Sequence, residues 1–99
     1  MRWYTRRGYD VVARNWRCSA GEIDLILRQA NTLIFCEVKA RATDEFGGPA
    51  AAVGWQKQRR LRRLAAIWLT ECRPVGYLEL RFDVAAVVGT RVDVIEAAF

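Results

Sequence analysis

Between Gly21 and Lys39 apolar residues run almost without interruption, in two blocks split by Gln29-Ala30-Asn31. Each block, residues 23–28 and 32–38, is strand-length and rich in Ile, Leu, Val and Phe, so the pair reads as a hairpin closed by a tight turn. Strands this apolar on both sides belong to a sheet covered by helices. Further along the period changes. Leu61, Leu64, Ala65, Trp68 and Cys72 recur at helical spacing within residues 55–72, and Pro74 and Gly76 end that helix. The remaining segments fall around these two features. Residues 1–7 read as a short helix stopped by Gly8, residues 9–16 as a strand, and residues 15–21 as a connection. Residues 40–54 are dense in loop formers, with a helical turn expected at 50–53. Residues 77–88 form a second apolar segment in which Glu79, Arg81 and Asp83 alternate along one face, and residues 91–95 make a last short strand. The order β, β, β, α, β, β after an N-terminal helix predicts an α/β chain of the mixed α+β type. Its sheet should be mixed, mainly antiparallel and flanked by helices, in one domain spanning residues 1–99.

Charge interrupts the apolar hairpin at Glu22, Asp24, Glu37 and Lys39. Ionised groups on covered strands are costly unless paired or bound to a metal, so their placement needs a cause. Strict alternation puts Glu22, Asp24, Ile26 and Arg28 on one face, and Leu33, Phe35, Glu37 and Lys39 on one face. A turn at Ala30-Asn31 sets Asp24 opposite Glu37 and Glu22 opposite Lys39; a turn at Gln29-Ala30 sets Glu22 opposite Glu37. Both registers keep the four groups on one patch, whereas an unbulged three-residue turn scatters them. Carboxylates facing each other repel, which calls for a cation between them: Lys39 or, better, a divalent metal. The plainer alternative is a cross-strand Glu22–Lys39 ion pair. Asp83 reads as a brace within the sheet, and Trp16, Trp55 and Trp68 as core.

Composition narrows the chemistry. The 99 residues contain no histidine, which removes His-based acid–base catalysis, Ser-His-Asp triads and the ordinary zinc sites. Carboxylates, lysine and an oxygen-preferring metal are what is left. Three widely spaced cysteines, Cys18, Cys36 and Cys72, fit a reduced, cytoplasmic protein in which they act as small buried hydrophobes. No apolar run reaches membrane-spanning length and no signal-peptide core opens the chain, so no membrane association is expected. The net charge of +5 is concentrated at Arg2, Arg6, Arg7, Arg14 and Arg17, and again at Lys57, Arg59, Arg60, Arg62 and Arg63. Clustered arginines point to a polyanionic partner, most often nucleic acid.

Asp24 followed thirteen residues later by Glu37-Val38-Lys39 resembles the D…(D/E)-x-K core of restriction-endonuclease-like nucleases. More closely, GEIDLI, LIFCEVKAR, FGGP, KQRRL and RFDV resemble the bacterial YraN-like family, held to be related to archaeal Holliday-junction resolvases. The likeness extends over nearly the whole chain from Gly8. It implies a restriction-endonuclease-like core with a shortened N-terminal helix. In the family a fuller helix precedes Arg-Gly-Tyr and carries a Gly-Glu whose carboxylate is thought to join the site, and only residues 3–7 of it remain here.

The resemblance also implies a mechanism. Asp24 and Glu37 would hold Mg²⁺ or Mn²⁺ together with the Val38 carbonyl. Lys39 would orient or help deprotonate the attacking water, and Glu22 would be a further ligand or support a ligand. Arg41, Lys57, Arg59, Arg60 and Arg63 would hold the DNA backbone without reading sequence. The expected function is a metal-dependent endonuclease acting on DNA, with branched DNA as a candidate substrate. The alternative is a catalytically silent nucleic-acid-binding domain that keeps the nuclease fold, with a homodimer open to either.

Overall fold

The computed structural model describes residues 1–41 and 54–99, with the backbone alone of Arg41. The elements are α1 (Arg2–Thr5), β1 (Asp10–Cys18), β2 (Gly21–Gln29), β3 (Thr32–Arg41), α2 (Trp55–Cys72), β4 (Glu79–Val88) and β5 (Arg91–Ile95). The strands form one sheet in chain order, β1-β2-β3-β4-β5. Only β3 and β4 run parallel, because the chain returns through α2 between them; the other neighbours are antiparallel. The expected mixed, mainly antiparallel sheet is therefore the one formed. The expected turn at 50–53 lies outside the described residues.

Both faces of the central strands are covered. On one side Leu61, Leu64, Ala65 and Trp68 of α2 pack on Ile23, Ile26, Leu33, Phe35 and Phe82. Phe35 meets Trp68 edge-on at 5.8 Å between centroids. Residues such as Ile26 and Phe35 are fully buried, each contributing roughly 1.5–3 kcal/mol relative to exposure. On the other side Tyr4 of α1 and Tyr9 close over Leu25, Leu27, Ile34, Cys36 and Ala85. Helix α1 is a single turn that Gly8 stops, with φ 83° and its N–H bonded to the Thr5 carbonyl at 3.2 Å.

Boundaries shift where a local feature outweighs the apolar pattern. Strand β1 continues through residues 15–18, expected to be a connection, because Asn15 adopts a left-handed backbone (φ 50°) without ending the pairing. The hairpin turn is Ala30-Asn31, with Gln29 paired to Thr32. Cys36 is buried, Cys18 half-buried, and Cys72 exposed in the last residue of α2, so Cys72 is not part of the core stripe. Trp16 and Trp68 pack as expected, but Trp55 is 63% exposed. At 3.6 residues per turn it sits about 120° round the helix from Leu61, off the packed stripe. Among the described residues no helix is long and apolar enough to cross a membrane.

Candidate active site

The β2–β3 ladder runs from Gln29↔Thr32 to Leu25↔Cys36 and stops there. Its register, continued, sets Asp24 opposite Glu37, as the Ala30-Asn31 turn requires. Instead of a backbone pair, the Asp24 Oδ2 accepts the Val38 N–H at 2.8 Å. The carboxylate thus occupies the gap where the two strands part. A residue's N–H and C=O face the same neighbouring strand, so the Val38 carbonyl opens toward the same gap.

The cause is visible in the side-chain alternation. Ile23 and Ile26, three residues apart, both face α2, while Leu25 and Leu27 face α1. Strict alternation would separate the two isoleucines, so the order of faces breaks at Asp24. Strand β1 breaks at the facing position: Ala13 and Trp16 both lie on the α2 side, with left-handed Asn15 between them.

This break corrects the expected single patch of four charged residues. Glu37 and Lys39 follow Leu33 and Phe35 onto the α2 side, where the Lys39 Nζ lies 3.2 Å from the Glu37 Oε1. Glu22, beyond the break, is turned from the face of Ile26 and pairs with Arg17 of β1 at 3.4 Å. The Glu22–Lys39 ion pair does not form. Glu37 and Lys39 meet on the α2 side, Asp24 lies in the gap between the strands against the Val38 N–H, and Glu22 stands apart.

The electrostatics bind Lys39 to the helix. The Lys39 amine is shifted upward, by its coupling to the Lys57 amine of α2 first and then, against the desolvation that lowers it, by Glu37 and the field of Asp24. Lys57 takes the opposite shift, downward, with Lys39 as its first cause.

Among the described residues no three His, Cys, Asp or Glu side chains gather into a metal cage. A cation here would rest on Asp24, Glu37 and the Val38 carbonyl, filling its shell with water or phosphate oxygens. That donor set is all oxygen and incomplete, which suits Mg²⁺ or Mn²⁺, ions that keep several waters. A cleft of about 380 Å³ opens beside Asp24, lined among others by Met1, Arg14, Asn15 and Val38. Arg14 and Asn15 were not among the expected site residues. The signal available for them was a turn-forming asparagine in a strand opposite the acidic position.

The expected nucleic-acid contacts divide. Arg59, Arg60 and Arg63 are exposed on α2 and line a second pocket with Trp55. Arg62 is turned away, its guanidinium 4.9 Å from the Phe82 ring centroid and 5.4 Å from that of Phe99. The side chain of Arg41 lies outside the described residues.

A feature with only a partial sequence signal lies under α1. Asp83 is fully buried and accepts hydrogen bonds from the Tyr4 hydroxyl (2.7 Å), Arg81 Nε (2.9 Å) and Nη2 (2.8 Å), and the Ala97 N–H (3.0 Å). It braces the sheet, the role expected of it. Burial, with Asp83 and Cys36 beside it, pushes the Tyr4 hydroxyl well above the ordinary phenol range. Burial also pushes the Cys36 thiol up to about 12, which leaves it inert.

A five-strand mixed sheet with a crossover helix between its parallel strands defines an α+β domain compatible with a restriction-endonuclease-like core. The chain belongs to the uncharacterised protein family UPF0102, the YraN family, whose model matches residues 1–87. It is 51% identical over 90 residues to a UPF0102 protein of Beutenbergia cavernae, covering 91% of this chain and 75% of that one. A UPF0102 protein of Nocardia farcinica is 51% identical over 83 residues, covering 84% and 65%. One from Mycolicibacterium vanbaalenii is 49% identical over 85 residues, covering 85% and 69%.

Proposed function

We propose that the protein is a divalent-metal-dependent endonuclease that hydrolyses phosphodiester bonds in DNA, with Holliday-junction-like branched DNA as the substrate class and Mg²⁺ or Mn²⁺ as the metal. The observation that supports this most is the Asp24 carboxylate in the gap where the β2–β3 ladder opens, bonded to the N–H of Val38, whose chain neighbours Glu37 and Lys39 pair at 3.2 Å. Asp24 and Glu37 would hold the ion. When bound, the ion polarises the scissile phosphate and makes its water a better nucleophile. Lys39, kept as an ammonium, orients that water and offsets the negative charge that grows on the phosphate oxygens. The water oxygen bonds to phosphorus, one bridging P–O bond breaks with its electron pair on the sugar oxygen, and that oxygen takes up a proton. Lys57, Arg59, Arg60 and Arg63 carry the phosphate backbone past the site.

One observation favours a second reading. The Lys39 ammonium already sits on Glu37 at 3.2 Å, occupying part of the carboxylate a metal would need. A binding domain that keeps this architecture without cleaving would look the same. Incubating wild type and Asp24→Asn with branched and linear DNA, in Mg²⁺ and in Mn²⁺, separates the two. Cleavage by wild type alone supports the endonuclease. Intact DNA in both metals, with binding retained, supports the silent domain.

A further inference from the structure

Trp55 opens α2 with 63% of its surface exposed, while Trp68 on the same helix is only 4% exposed. Among the described residues, this indole has no packing partner that would account for its place at the helix start. It stands instead in a pocket of about 410 Å³ lined by Ala20, Gln56, Arg59, Arg60 and Arg63. The Arg59 guanidinium lies 5.6 Å from the ring centroid, within the roughly 6 Å range of a cation–π contact. With one ring face under Arg59 and the residue still mostly exposed, the other face is open to a ligand. Such a ligand must be planar to stack on the ring and anionic to sit among three arginines.

We infer that this pocket stacks an unpaired base of single-stranded DNA on the Trp55 indole, with Arg59, Arg60 and Arg63 on the flanking phosphates. This rests on the DNA-binding part of the function proposed above and adds the strand type to it. Bases inside a duplex present no free face, so an aromatic platform selects strands whose bases are unstacked. Every base has a flat face, so the selection is by structure and not by sequence. The location gives the platform its use. Trp55 opens α2, the helix that covers the sheet face shared by Leu33, Phe35, Glu37 and Lys39. A base on Trp55 is therefore held at the end of the helix lying over that face. DNA that is paired on one side of the site and unpaired on the other, such as a flap, a frayed junction arm or a single-stranded tail, fits that layout.

The test compares wild type, Trp55→Ala and Trp55→Phe for binding to a fluorescein-labelled oligothymidylate of about 20 nucleotides and to a blunt duplex of the same length. Anisotropy is read across about 50 to 200 mM NaCl. Trp55→Ala should weaken oligothymidylate binding about tenfold. It should leave duplex affinity within about twofold and the salt slope unchanged, since no phosphate contact is lost. Trp55→Phe keeps a ring and should keep most of the affinity, while losing the tryptophan quenching that oligothymidylate causes in wild type. Trp55 lies off the packed stripe, so circular dichroism of both variants should match wild type. Single-strand affinity unchanged in Trp55→Ala, or equal losses on single strand and duplex, would overturn the platform. Wild type that binds neither probe would overturn both the platform and the DNA-binding reading beneath it. Selective loss on single strands in a protein that cleaves nothing would uphold the platform and sink the endonuclease alone.

Discussion

Replacing Arg81 by Met should destabilise the protein by about 3 kcal/mol, near the lower end of what breaking a buried ion pair costs. The figure follows from the surroundings of Asp83. Its carboxylate has no exposure and takes two of its four hydrogen bonds from the Arg81 guanidinium. Tyr4 and Ala97 supply the other two, both from uncharged donors. Removing the guanidinium leaves a buried charge held by neutral dipoles, while Met fills much of the arginine stem's volume. The Arg81 side chain keeps 21% of its surface in water, so one edge of the pair is already partly screened, which argues for the lower end of the range. Urea unfolding at pH 7, followed by tryptophan fluorescence, measures the loss. With a slope of about 1.5 kcal/mol per molar, the midpoint should fall by about 2 M. Adding Asp83→Asn to Arg81→Met should restore part of the midpoint, because the stranded charge is gone. A loss below about 1 kcal/mol in Arg81→Met, or a double variant less stable than Arg81→Met, would refute the argument that charge pairing holds this corner.

Other expectations follow from the same geometry. Reversing Arg59, Arg60 and Arg63 to Glu should remove most DNA affinity and flatten its log–log salt slope by about 3, with an unchanged circular dichroism spectrum; a folded variant with unchanged affinity would move the binding face elsewhere. Asp24→Asn keeps an acceptor for the Val38 N–H, so it should cost little stability while abolishing any rise in melting temperature caused by Mg²⁺ or Mn²⁺. Asp24→Ala should cost about 1–2 kcal/mol more than Asp24→Asn in urea unfolding, because the N–H loses its partner. Alkali should destabilise the fold: Cys36 is raised from 9.0 to about 12 and Tyr4 is raised as well, so between these values the unfolded chain releases protons that the folded one retains. Stability should be full below about pH 9 and fall as pH climbs toward 12, with a shallower fall in melting temperature for Cys36→Ala.

The sheet was legible because its signal is collective. Two apolar blocks separated by Gln29-Ala30-Asn31 left little choice but a hairpin, and the period change at residues 55–72 left little choice but a helix. The predicted bounds of α2 and β5 coincide with those formed; Gly54 and Pro74 bracket the helix and Gly89 precedes the strand. Strand β1 was harder to delimit. Its residues 15–18 carry Asn, Trp, Arg and Cys, a mixture without alternation, and what extends the strand is pairing to β2 as far as Cys18↔Gly21. Gly21 reaches that pairing with φ 143° and close to Leu64, whose Cδ1 would stand 3.4 Å from any Cβ there. Neither fact is local to the segment, so propensity alone could not supply the boundary.

Which charges break the apolar strands was legible, and which way they point was not. Asp24, Glu37 and Lys39 stood out because charge on covered strands needs a reason, and that argument ignores which way a side chain points. Direction came from an alternation rule that holds only while the pleat is regular. A paired irregularity at Asn15 and Asp24 turns both strands at one level, sending Glu22 to Arg17 while Glu37 and Lys39 face α2. A one-residue slip of register would have exposed the apolar residues that follow; a break at the open end of the ladder leaves Leu25 and Ile26 buried on their own faces. It is therefore tolerated at little cost, and it places a carboxylate between strands instead of on a face. An acid on a face meets solvent or a helix, whereas an acid in the gap meets the backbone N–H of Val38 and lies open to a cleft on the α1 side. The irregularity that defeated the alternation rule is what makes Asp24 a candidate ligand and not a surface charge.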